Sequence, residues 1–180
     1  MIAVNDLVIP AARKGETEVL NELIRQHADL NVRDEKGYTP LIIASYNNQY
    51  ETAKLLIDNG ATVDAQDNGG NTALMGASFK GHAEIARLLI ECGANLNLQH
   101  GNGGTAAMFA ATFGRNDVLK LLLAHGADIS IVDFRGMTVR DLAQQQNNIE
   151  AVELLDSHQS QNPGNKSNEV SGQQAVRDGS

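Results

Sequence analysis

The chain has one cysteine, Cys92. No internal disulfide can form, and no cysteine-based zinc set exists. Cys92 stands beside Gly93 with no His or Lys next to it to lower its pKa, so it reads as an ordinary helix-end residue. Tryptophan is absent, and aromatics make up only 4% of a chain that is 42% apolar. The interior must therefore be built from aliphatic and small side chains. Apolar runs are short as well: no window approaches the roughly 18 apolar residues of a membrane span. The segment Met1-Ile2-Ala3-Val4-Asn5-Asp6 has neither the basic region nor the apolar core of a signal peptide, so the expected location is cytoplasmic. Lys and Arg number 14 against 22 Asp and Glu, for a net charge of −8. That balance argues against nucleic acid, whose phosphates need a basic surface, and against an anionic membrane. Its plain meaning is a soluble surface that resists aggregation.

What the chain does have is an exact period. Thr39, Thr72, Thr105 and Thr138 lie 33 residues apart. Gly37, Gly70, Gly103 and Gly136 keep the same register, as do Ala44, Ala77, Ala110 and Ala143. A second glycine series, Gly60, Gly93 and Gly126, is followed each time by alanine. A period of this length marks a supersecondary unit that cannot bury its apolar face alone and must stack on its neighbours.

The run Gly37-Tyr38-Thr39-Pro40-Leu41-Ile42-Ile43-Ala44 resembles the G-x-T-P-L-H-x-A signature of ankyrin repeats. The stretch from Glu84 to Asn97 resembles the second half of the same unit. The resemblance implies an all-α solenoid of about five helix-turn-helix units joined by β-hairpin loops. It departs from the signature at one recurrent place: the usual His is Ile42, Met75, Met108 and Asp141, so other groups must satisfy the turn.

Within a unit, Thr72 is placed to cap a first helix over Ala73 to Lys80. Gly81-His82 turns the chain, and Glu84 to Cys92 forms the second helix. Ile85, Leu88 and Leu89 share its apolar face at i, i+3, i+4 spacing. We divide the chain into an N-terminal cap repeat (1–34), central repeats (35–67, 68–100 and 101–133) and a C-terminal cap repeat (134–158). The caps are polar where central units are apolar: Glu22 stands in the register of Leu55, and Asp156 in that of Ile57. Arg140 replaces the leucine of Leu41, and His27 replaces a capping glycine. Pro10 should make the first helix start late or distort it. Residues 159–180, rich in Ser, Gln, Asn and Gly, are expected to be a disordered tail.

The five histidines form no H-x-x-x-H pair and join no carboxylate cluster at ligand spacing. We therefore expect no metal, no cofactor and no catalytic residue. The loop Gly101-Asn102-Gly103-Gly104 could cradle a phosphate, but its glycines lie in the register of the repeat turn and lack a P-loop Lys. Asp34, Asp67 and Asp133 share one ladder position with His100, which suits Asx-type loop capping. What remains is surface. Resemblance to ankyrin proteins directs attention to the hairpin tips and the inner face of the first helices. There we single out Tyr38, Tyr46, Phe79, Lys80, Phe113, Phe134, Arg135 and Met137; aromatics with Met and Arg are the residue types that anchor protein interfaces. Phe109 is assigned to the core. The expected function is noncatalytic binding of one protein partner by a monomer, to inhibit, escort or support it. Self-association and a ligand-binding or enzymatic role at residues 101–104 are the alternatives.

Overall fold

A computed structural model describes residues 3–161. They form ten α-helices in five antiparallel pairs: α1 (Val8–Lys14) with α2 (Thr17–Arg25), α3 (Pro40–Tyr46) with α4 (Tyr50–Asp58), α5 (Ala73–Lys80) with α6 (Ala83–Glu91), α7 (Ala106–Thr112) with α8 (Asn116–Ala124), and α9 (Val139–Gln145) with α10 (Ile149–Gln161). First helices pack on first helices and second on second, giving two stacked layers. The residue at the register of Leu89 is buried in every unit, as Leu23, Leu56, Leu89, Leu122 and Leu155.

Four of the five first helices begin where the threonine period places them. Thr39, Thr72, Thr105 and Thr138 are extended at the N-cap, and their Oγ1 atoms accept from the N–H three residues on, at 3.2 to 3.4 Å. Pro10 delays α1 as expected. A 3-10 turn over Val4–Leu7 precedes it, and Pro10 is its third residue, where no intrahelical N–H bond is lost. His27 adopts the left-handed backbone (φ 59°) that glycine supplies in the central copies. Arg140 and Asp156, the two polar replacements of the last unit, pair with each other at 2.7 Å. The segment expected to be a disordered tail begins inside α10, which runs through Gln161; its remainder, 162–180, lies outside the described residues.

Between units the loops are tight hairpin turns, each closed by two backbone hydrogen bonds and too short to count as strands among the described residues. The N–H groups of Asp34, Asp67, His100 and Asp133 each donate to the carbonyl four residues on, at 2.9 to 3.1 Å. Consecutive tips are joined by the bonds Asn68 N to Lys36 O, Gly101 N to Gly69 O and Phe134 N to Asn102 O. The turns lacking the signature His are satisfied by a ladder of long polar side chains. Gln66 Nε2 donates to Gly70 O (2.8 Å) and Gln99 O (3.3 Å), and Gln99 Nε2 to Gly103 O (2.6 Å) and Val132 O (3.1 Å). Arg33 does the same for Gly37 and Gln66. Asp141 instead completes a capping box with Thr138.

Ser45 and Ser78 share one register inside α3 and α5, are fully buried, and have hydroxyls without a hydrogen-bond partner. Ala111 fills that register in the next unit. A buried hydroxyl without a partner carries its full desolvation cost. Ser78→Ala should therefore raise stability by about 1 kcal/mol in a urea melt; a loss would show that the hydroxyl is bonded.

Candidate functional site

Four aromatic residues, Tyr46, Phe79, Phe109 and Phe113, converge on the face built by the first helices. Tyr46 ends α3, Phe79 stands one residue before the end of α5, and Phe113 caps α7. Tyr46 and Phe79 occupy the same position in consecutive units, and their rings stack with centroids 6.1 Å apart at 11°. Phe113 lies one residue further along its own unit yet meets Phe79 edge-on at 4.5 Å and 69°. Tyr46 and Phe113 remain 42% and 43% exposed. The Lys80 ammonium sits 4.9 Å from the centre of the Tyr46 ring, within cation–π range.

Phe109 is not simply core. It is half-buried, 6.3 Å from Phe79 and 6.5 Å from Phe113, and it stacks at a tilt on His100 at 5.1 Å. It stands four residues before Phe113, one helical turn, and that spacing was the signal for placing it on this face. Two recesses flank it. One, of about 560 Å³, lies between His100, Phe109, Phe113, Phe134 and Gln145. The other, of about 430 Å³, lies between Arg13, Tyr38, Tyr46, Gly76 and Phe79. Gly76 went unremarked in the sequence, although it stands among Ile43, Phe109 and Leu142 in its register.

The residues singled out at the tips are spread along the array. Tyr38 is half-buried in the second recess. Phe134, 80% exposed, lies over Gly103 at the last tip. Arg135 pairs with Asp133 at 2.8 Å beside the first recess. Met137 packs against the core and lines neither recess.

Titratable groups near this face have structural work. Asp34, Asp67 and Asp133 each accept two backbone N–H bonds across their own turn. The Asp133 carboxyl is held below its usual range by the Met137 N–H and by Arg135. His100 takes the same place with Nδ1 accepting from Asn102 N at 3.2 Å. Its Nε2 would come within 2.7 Å of any Cβ at residue 104, so Gly104 accommodates the ring. Burial lowers the His100 pKa, partly offset by Asp67 and Asp133. In the loop 101–104, the first three N–H groups already serve Gly69 O, His100 Nδ1 and His100 O, which leaves no cradle of free donors. The ring of His82 donates to Tyr46 O at 3.2 Å, and Arg115 Nε donates to Phe79 O at 3.1 Å from the same register one unit on. Burial, then the charges of Lys80 and Arg115, depress the His82 pKa against the opposite pull of that bond.

Among the described residues no group of His, Cys, Asp and Glu could hold a metal ion, and no helix is long and apolar enough to cross a membrane. A family model described as ankyrin repeats (3 copies) matches residues 8–100, and a second, ankyrin repeats (many copies), matches residues 89–143. A search of curated proteins found no match.

Proposed function

Since the chain belongs to the ankyrin repeat family, we propose that it is a noncatalytic module that binds one protein partner through its concave face and hairpin tips, acting as a monomer. Ankyrin repeats are in general protein–protein interaction modules. The observation that carries the reading is the row Tyr46, Phe79 and Phe113. In a chain this poor in aromatics, three rings gather on one face and two of them keep over two-fifths of their surface in solvent. Aromatic side chains are among the residue types that anchor interfaces.

The ring-to-ring contacts also favour a second reading, in which the row packs consecutive units together. One experiment separates the two. The wild type and a Tyr46→Ala, Phe79→Ala double variant are used as bait in an extract of the native cells, with bound proteins identified by mass spectrometry. We expect the double variant to lose the protein that the wild type retains. Its affinity for that protein should fall by at least about 2 kcal/mol, with circular dichroism and melting near wild type. Unchanged capture by a folded double variant would move the binding surface to Tyr38, Phe134 and Met137. Collapse of folding would assign the row to packing.

A further inference from the structure

Gly76 stands inside α5, where a glycine costs about 0.5–1 kcal/mol relative to alanine. Neither the backbone nor the packing demands it. Its φ is not positive, and a Cβ there would meet only Tyr46, at an ordinary 3.8 Å. The other units fill this position with Ile43, Phe109 and Leu142. The missing side chain leaves a notch in the groove floor, walled by Tyr46, Phe79 and Phe109.

The net charge of the chain conceals an uneven distribution. On the second helices Asp and Glu outnumber Lys and Arg by ten to four, whereas the first helices carry Arg13, Lys14, Lys80 and Arg140 against Asp141 alone. Asp141 is committed to the cap of α9 and Arg140 to Asp156. Neither Lys80 nor Arg115 lines the notch itself, but each touches a residue that walls it: Lys80 lies over the Tyr46 ring and Arg115 holds the Phe79 carbonyl. Among the described residues neither pairs with a carboxylate. The tip-side carboxylates Asp67 and Asp133 are turned to their own backbone N–H groups.

We propose that the partner presents an acidic protein segment to this face: an apolar side chain enters the notch above Gly76, and a flanking carboxylate meets Lys80 and Arg115. This rests on the concave-face reading above and adds the chemistry of the occupant. The apolar side chain is desolvated against three rings, and the carboxylate finds two cations that no acid among the described residues neutralises. The acidic second helices point the other way and steer the same segment off the opposite surface.

The test uses a random dodecapeptide library displayed on phage and panned against the whole chain. Peptides that combine Asp or Glu with Leu, Ile, Phe or Met should be enriched. A fluorescein-labelled peptide from that set is then titrated by anisotropy. Lys80→Glu should weaken it about tenfold, and wild-type binding should weaken as salt is raised. Gly76→Leu should weaken it at least about tenfold while raising the melting temperature, because leucine is the better helix former. Gly76→Ala should also raise the melting temperature, which measures the helix-propensity gain apart from the filling of the notch. Enrichment of basic or uncharged peptides that still require Tyr46 and Phe79 would overturn the acidic segment and leave the concave face standing. Acidic peptides that bind the Tyr46→Ala, Phe79→Ala variant unchanged would overturn the concave face itself. Full binding by Gly76→Leu, or no enrichment above a blank surface, would also overturn the proposal.

Discussion

Leu89→Ala should destabilise the protein by about 2–5 kcal/mol through lost transfer energy and the cavity left behind. Leu89 is completely buried in α6, between the two layers and between neighbouring units on either side. The comparison that gives this number meaning is Leu155→Ala. Leu155 occupies the same register in α10 and is just as buried, at 1% exposure, so local burial does not distinguish the two sites. Position in the array does. In a stacked array the last unit can open while the others remain folded, so the loss it transmits to the main transition is capped at the stability of that unit. Urea melts followed by circular dichroism should show a full shift of the midpoint for Leu89→Ala. For Leu155→Ala they should show a smaller shift with a broadened foot. Equal shifts would mean that the five units unfold as one and that nearest-neighbour stacking does not describe this chain.

Gly37→Ala should cost about as much for a different reason. Gly37 has φ 78°, a left-handed conformation that costs a residue with a Cβ roughly 1–2 kcal/mol. Its added Cβ would also lie 2.7 Å from the backbone nitrogen of Asn68 in the next tip, which cannot yield without breaking the bond from Asn68 N to Lys36 O. Overpacking against backbone adds roughly 1–3 kcal/mol, for a total of about 2–5. Gly136 is the internal control. It has the same register and a φ of 75°, but it belongs to the last tip and nothing lies within 4 Å of its Cβ position. Gly136→Ala should cost only the strain, about 1–2 kcal/mol. If the two variants melt alike, tip-to-tip contact contributes nothing to the array.

These glycines show where reading the sequence reaches its limit. The 33-residue register of Thr, Gly and Ala already determined the repeat and the start of four of the five first helices, and the i, i+3, i+4 spacing the apolar face of the second helices. All of these follow from local chemistry: a cap, a left-handed turn and a 3.6-residue period act within one unit. The stacking of Tyr46 on Phe79 could be foreseen as well, because equal positions in identical units must become neighbours. Other features depend on contacts about one repeat apart, or on groups meeting from different elements. Gly37 and Gly136 look identical in the sequence, and only the presence of a following tip separates them. Arg33, Gln66 and Gln99 looked like unremarkable loop residues until the structure placed each between two turns, where they do the work of the absent signature His. Phe109, assigned to the core, shares its register with the buried Ile43 and Leu142, yet the glycine in the unit before it opens the groove and leaves its ring at the surface of two recesses. Net charge was legible and its distribution was not, since a sum over the chain cannot say that the carboxylates gather on the second helices while the first helices carry four cations against one acid. Sequence thus determined the unit and its period. Tertiary structure decided what consecutive units do to each other and what kind of face they build, because those depend on distances that arise only when the units are stacked.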